Sequence, residues 1–338
     1  MTAITCKRLN LLGVLGRRRS GSSENTRLCN STHMLMGTQI KIMIPFIMDS
    51  LWWLMSNSFY LYQGAVPLNI LHQIIETKKQ EVAAGARHRP LTELRHCAAD
   101  AEPPRNFFSA VTKPPHGLVN VIAEIKRASP SAGLIRSDFD PVTIAQTYHA
   151  AGADALSVLT DETYFHGHLD YIRQVRQAVP LPVLRKDFII DPWQVWESRA
   201  AGADAILLIA EVLTDAVLMD LLILAAELKL TALVEVHEMD SLLRVRSVMG
   251  FPMRSYSLLG INNRDLTTFK VDFSTSLRLA EFAEDKTILV AESGIREKSD
   301  VQRLAAAGIR TVLIGETLMK SDDVAQTMAN LKGIFRQG

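Results

Sequence analysis

Cysteine is scarce in this chain: Cys6, Cys29 and Cys97 are the only three among 338 residues. They are widely spaced, and none lies near paired His in a metal-ligand spacing. No disulfide framework and no metal centre is expected from them, and their pattern suits a reducing compartment. Charge of one sign is missing as well. The net charge is +1 with 22% charged residues, which gives no basis for nucleic-acid binding or a polyanionic partner. No apolar run reaches the roughly 18 uninterrupted residues that a membrane span needs. No G-x-G-x-x-G follows the first strand-like run, which speaks against a dinucleotide-binding open sheet. What is present is the composition of a folded chain, 48% hydrophobic. It is long enough for two average domains or for one α/β barrel, which runs to about 250 residues as a unit.

The chain divides near residue 65. Residues 1–64 carry Lys7, Arg8, Arg17, Arg18, Arg19, Arg27 and Lys41 against only Glu24 and Asp49, and end in IKIMIPFIMDSLWWLMSNSFYLY. Pro45 and Asp49 interrupt that segment as a membrane span. It lies far from the start and lacks a small-residue cleavage site, so a secretory signal fits poorly. An organelle transit peptide suits the Arg/Ser-rich beginning better. The preferred reading is an atypical extension without catalytic role, disordered or a product of too early a start codon, and a cytoplasmic protein. From Val66 the pattern turns regular. Leu68 to Ala83 has helical apolar spacing, with Lys78, Lys79 and Glu81 expected on the outer face. Arg87 to Pro104 reads as loop, and Asn106-Phe107-Phe108 opens another short apolar element.

Eight strand candidates follow, separated by helical stretches: Val119–Lys126, Ala155–Thr160, Val183–Phe188, Ala205–Ala210, Ala232–His237, Leu258–Asn263, Ile288–Ser293 and Thr311–Glu316. Most are near-continuous apolar runs, as parallel strands buried on both faces require. A junction recurs before several of them: Ala151-Gly152-Ala153-Asp154, Ala201-Gly202-Ala203-Asp204 and Ala307-Gly308-Ile309-Arg310. Glycine just past a helix end, followed by a strand, is the joint of a βα unit. Eight such units make the expected fold of residues 65–338 an α/β protein, a (β/α)8 TIM barrel with an N-terminal helical extension.

In such a barrel chemistry sits at the C-terminal ends of the strands, and ionisable residues collect there. Glu124 and Lys126 lie two apart beside Ile122, so they project to one side. Alone, that pair also admits a structural ion pair at a strand end as the lesser reading. Leu184, Lys186 and Phe188 also share a face, as do Leu233, Glu235 and His237, and Gly260, Asn262 and Arg264. If those faces point inward, Glu124, Lys126, Lys186, Glu235, Asn262 and Arg264 converge on one cavity. Asp187 and Asn263 have the opposite parity and are expected to bond to loops or a neighbouring helix. His237 is expected to be a satisfied polar residue at a strand end. The small-residue turns Ser293-Gly294-Ile295 and Ile314-Gly315-Glu316-Thr317 stand where barrels commonly bind a phosphate.

The motifs AEIKRASPSAG, SVLTDETYFHG, VLRKDFIID, GADAILLIA, LVEVH, GINNRDLTTF, AESGI and LIGETLM, running from about Val66 to Phe335, together resemble the indole-3-glycerol phosphate synthase family of tryptophan biosynthesis. That resemblance implies ring closure, decarboxylation and dehydration of 1-(2-carboxyphenylamino)-1-deoxyribulose 5-phosphate, without cofactor or metal. It implies Lys186 as the general acid on the ribulose carbonyl and Glu235 as a general base or charge-stabilising carboxylate. Glu124 would be a second proton-transfer carboxylate, Lys126 would orient the ring carboxylate, and Asn262 and Ser293 would support them. A lysine surrounded by other cations can be lowered toward neutral pH, which would suit Lys186 to proton transfer. Phe165, Phe188 and Leu207 would line the aryl slot, with Ser129 and Pro130 in a lid-like loop beside it. Arg264, Gly294, Gly315 and Glu316 would face the substrate, although some relatives carry Ser at the last position.

A monomer acting on a phosphorylated small molecule, with no nucleic acid, membrane or fused isomerase barrel, completes the expectation. Two competing readings remain. A phosphoribosyl isomerase would carry a Cys or Asp acid/base pair at strand ends, where this chain has Lys and Glu. A non-catalytic phosphoribosyl-binding barrel docked through its N-terminus would not need Lys186 and Glu235.

Overall fold

The computed structural model describes residues 70–250, 252–253 and 256–334; the extension at 1–64 lies outside the described residues. Three helices precede the barrel: α1 (Ile70–His88), α2 (Leu91–Asp100) and α3 (Phe107–Thr112). The second corrects the loop expected over Arg87–Pro104. Its apolar stripe is only Leu94 and Ala98, one turn apart and both buried, too short a pattern to stand out in a polar sequence.

The strands are β1 (Asn120–Ile125), β2 (Ala155–Leu159), β3 (Val183–Lys186), β4 (Ala205–Ile209), β5 (Thr231–Val236), β6 (Ser257–Asn262), β7 (Leu289–Glu292) and β8 (Thr311–Ile314). Each pairs in parallel with its sequence neighbours, and β8 pairs with β1 to close the barrel. The side-chain period of two divides every strand. Ile122, Leu184, Leu233, Leu258, Val290 and Leu313 belong to one apolar cluster that fills the barrel. Val121, Ala123, Val183, Val234, Ile261, Ala291 and Val312 belong to a second, shared with the surrounding helices.

Those helices are α4 (Pro141–Ala150), α5 (Glu162–Phe165), α6 (Asp170–Ala178), α7 (Pro192–Ala200), α8 (Asp215–Glu227), α9 (Met239–Arg246), α10 (Ser274–Leu279), α11 (Lys298–Ala306), α12 (Glu316–Met319) and α13 (Val324–Lys332). Asp140, Asp191, Thr214 and Asp323 accept backbone N–H groups as N-caps, which satisfies donors that a helix start leaves free. The repeated glycine junction has a physical cause. Gly152, Gly202 and Gly308 sit at φ 88°, 90° and 91°, the left-handed region that a side chain resists. The aspartates that follow tie adjacent strands. Asp154 Oδ2 accepts from Val121 N at 2.9 Å, and Asp204 Oδ2 from Val183 N at 2.8 Å.

Candidate active site

Inward parity carries each strand from its core residue to a functional one. Ile122 leads to Glu124, Leu184 to Lys186, Leu233 to Glu235, Leu258 to Gly260 and Asn262, and Val290 to Glu292. Glu124, Lys186, Glu235, Asn262 and Glu292, with Lys126, Ser129, Pro130, Phe165, Phe188, Leu207, Arg264, Ser293, Gly294, Gly315 and Glu316, line one cavity of about 340 Å³. All the site residues expected from the sequence are therefore brought together. The volume lies in the range of small-molecule sites.

At the centre, Lys186 Nζ donates to Glu235 Oε2 at 2.6 Å and to Glu292 Oε2 at 2.9 Å. Burial disfavours its charge, but Glu235 and Glu292 outweigh that and hold Lys186 above its ordinary value. This overturns the expectation of a lysine lowered by neighbouring cations: its nearest charges are carboxylates. Burial would likewise raise Glu235, yet Lys186, His237 and the Asn262 amide hold it well below its ordinary value. Asn262 Nδ2 donates to Glu235 Oε1 at 3.0 Å.

Glu292 lies at the end of the seventh strand candidate but is absent from the site residues expected from the sequence, where Ser293 stands instead, and it lines the cavity. It is 1% exposed, and burial together with the Glu235 charge pushes it up to about 8. Its Oε1 is buried with no hydrogen-bond partner among the described residues. The Val290–Glu292 parity was the signal that could have found it. Ser293 instead takes φ 63° and Gly294 φ 75°, so the chain turns sharply as β7 ends.

His237 does more than satisfy a strand end. Its Nδ1 lies 3.0 Å from Glu211 Oε2 and its Nε2 3.2 Å from Glu235 Oε1, the latter without hydrogen-bond alignment. Burial lowers it, but the two carboxylates prevail and push it up to about 10. It is a cation behind Glu235.

On the opposite wall Lys126 Nζ donates to Glu124 Oε1 at 2.5 Å. Two glycines lie close under the site carboxylates: a Cβ on Gly315 would displace that of Glu124, and one on Gly260 that of Glu292. The Ser129–Pro130 loop forms a short antiparallel ladder, Ala128–Ser129 against Gly133–Leu134. Arg264 reaches across to it, with Nη1 3.2 Å from Ser131 Oγ. The Glu316 side chain stays at the cavity, 3.5 Å from Arg264 Nη2 and 2.7 Å from Lys320 Nζ. Its hydrogen bond to Lys320 lowers it, so an ionised acid stands among the cations available to an anionic substrate. Phe165 and Phe188 face each other with ring centroids 6.1 Å apart at 41°, an arrangement open to an aryl ring. As expected from parity, the side chains of Asp187 and Asn263 bond to neighbouring elements, although Asp187 also borders the cavity. Asp187 bonds Thr160 and Arg185, and Asn263 bonds the Ser293 carbonyl and Ser276.

A closed parallel barrel whose rim joins an ammonium, buried carboxylates and an aromatic slot defines an acid–base enzyme acting on a small anionic molecule. The model of the family described as indole-3-glycerol phosphate synthase matches residues 71–331, and this chain belongs to that family. It is 46% identical over 266 residues to the indole-3-glycerol phosphate synthase of Rhodospirillum rubrum, covering 78% of this chain and 99% of the relative. It is 48% identical over 264 residues to those of Acidithiobacillus ferrooxidans and Neisseria gonorrhoeae, covering 78% of this chain and 98% and 99% of the relatives. Among solved structures, 3-hexulose-6-phosphate synthase from Salmonella typhimurium superposes with a TM-score of 0.51 at 14% identity, covering 64% of this chain and 97% of that one. That likeness concerns the fold alone. No helix among the described residues is long and apolar enough to cross a membrane.

Proposed function

We propose that the chain closes the indole ring of its phosphorylated anilino-ribulose substrate with Lys186 as general acid and the Glu235–Glu292 pair as its proton partners. The observation that carries these roles is the Lys186 ammonium held at 2.6 and 2.9 Å between two buried carboxylates at the cavity wall. The aryl carbon bearing the carboxylate attacks the ribulose carbonyl carbon, and Lys186 gives the carbonyl oxygen a proton as the C–C bond forms. The C–CO₂ bond then breaks, its electron pair restores the aromatic ring, and CO₂ leaves. The new hydroxyl departs as water with a second proton, and a carboxylate takes one proton from the adjacent methylene carbon. The sum is one substrate and one proton to indole-3-glycerol phosphate, CO₂ and water.

Each remaining residue has a role that its place supports. Lys126, neutralised by Glu124 at rest, orients the ring carboxylate when substrate arrives, and Glu124 is then free to accept a proton. Asn262 holds Glu235, and Ser293 supports it from the turn after β7. Phe165, Phe188 and Leu207 form the aryl slot. Ser129, Pro130, Arg264, Gly294, Gly315 and Glu316 surround the rest of the substrate, with the phosphate toward the turns after β7 and β8. All these residues come from one chain, which supports a working monomer, and the bacterial relatives support a cytoplasmic location. Mixing the purified chain with the anilino-ribulose phosphate should raise indole fluorescence; a flat trace with active-site residues intact sinks the reading.

A further inference from the structure

Lys78, expected on the outer face of α1, is 4% exposed. Its Nζ lies 2.7 Å from Glu81 Oε2, 3.0 Å from Asp161 Oδ2 and 3.0 Å from Asp187 Oδ1. The last two carboxylates belong to the two segments that build the aryl slot. Asp161 is the N-cap of α5, accepting from Tyr164 N at 2.7 Å, and α5 ends in Phe165. Asp187 stands between Lys186 and Phe188, and its Oδ1 also accepts from Phe188 N at 2.8 Å. We infer that Lys78 is a positioning residue for the aryl end of the site, clamping the loop after β2 to the end of β3 so that Phe165, Phe188 and Lys186 keep their relative placement. The inference rests on the proposed function.

The electrostatics demand such a cation. Asp161 and Asp187 are 1% and 3% exposed, and two close buried carboxylates repel unless a positive charge stands between them. Arg185 reaches Asp187 at 3.0 Å and Glu197 at 2.8 Å. Asp161 Oδ2 has no hydrogen bond among the described residues, and its ion-pair partner there is Lys78. A second tie joins the same two helices: Thr77 Oγ1 meets Tyr164 Oη at 2.9 Å. The helix before the barrel is thus wired to the substrate's aryl wall. Among the described residues the ion pairs of Lys78 run to Glu81, Asp161 and Asp187, and not to the opposite wall of Glu124, Lys126, Arg264 and Gly315.

That asymmetry makes the role testable. Full-length wild type, K78M, K78R and D161N are compared for turnover at 25 °C, with circular dichroism to confirm folding. Competitive inhibition by anthranilate probes the aryl end and by inorganic phosphate the other end. In K78M, kcat should fall about 10- to 100-fold, the scale of a misplaced reacting group. Anthranilate inhibition should weaken by a similar factor while phosphate inhibition stays within about twofold. K78R should recover most of both losses. D161N, which keeps the lysine, should show a smaller loss confined to anthranilate, and it serves if K78M fails to fold. Wild-type kcat and anthranilate inhibition in K78M or D161N overturn the inference, as does equal weakening of both probes, which is the mark of general loosening. Wild-type protein that binds anthranilate but turns over no substrate overturns the proposed function instead.

Discussion

Lys186 and His237 show how one buried carboxylate can be given two cations with different work. Lys186 faces the cavity from one side of Glu235 and His237 backs it from the other. Removing the first should remove the acid: Lys186→Met is expected to cut turnover about 100- to 10,000-fold, the usual worth of a positioned proton donor, with an unchanged circular dichroism spectrum. A mutant near wild-type rate would exclude Lys186 from that role. Removing the second should change the pH dependence of stability. His237 titrates at about 10 in the fold against 6.5 ordinarily, so between those values the native state holds a proton that the unfolded chain has lost. Its contribution is complete below pH 6.5 and disappears as pH rises through 10, a slope of at most about 1.4 kcal/mol per pH unit. His237→Gln should flatten stability over that window. Urea midpoints at pH 6, 8 and 10 that fall in parallel for both proteins would show that His237 is not the cation.

At the scale of elements, a strand's last inward residue meets whatever its neighbours leave room for. Glu235 stands opposite Gly260, and Asn262 opposite Glu292, in the register of β5, β6 and β7. Gly260 has no side chain because the Glu292 carboxylate lies over it. Gly260→Ala should therefore cost about 1–3 kcal/mol, as overpacking does, and lower kcat by displacing Glu292. Thermal melts and turnover together test this, and an alanine variant with unchanged kcat would separate Gly260 from the site. The eight strands were legible in the sequence because both faces are buried and the apolar runs are nearly unbroken. The rim was legible because a period of two carries Ile122 to Glu124 and Leu184 to Lys186. Glu292 has the same parity from Val290, but its contact with Lys186 across the barrel was not legible, because a period of two does not show which strand ends meet. Lys78 was missed for a different reason. Helical periodicity marks apolar residues as inward, and it cannot show that a lysine is turned inward by carboxylates more than 80 residues away.

Across the whole barrel the two ends divide the labour, with chemistry at the C-terminal rim and stability at the base. At the base, Asp204 is fully buried and pairs with Arg176 while accepting the Arg105 backbone N–H at 2.6 Å. Arg105 in turn donates to the carbonyls of Val179, Leu181 and Arg176, and Arg176 to that of Pro103. These bonds fasten the segment between α2 and α3 beneath β3 and β4. Arg176→Met would take from the buried Asp204 its ion-pair partner, leaving it the Arg105 and Val183 backbone N–H groups, a change worth up to about 3–5 kcal/mol of stability. Among the described residues the partners of the Arg176 side chain are Glu102, Asp204 and Pro103, none of which lines the cavity at the rim, so kcat measured well below the melting temperature should match wild type. Urea unfolding and turnover on the same preparation decide the point. A stable variant would show that the Asp204 charge is met elsewhere, and a stable but slow one would show that the base of the barrel is coupled to its rim.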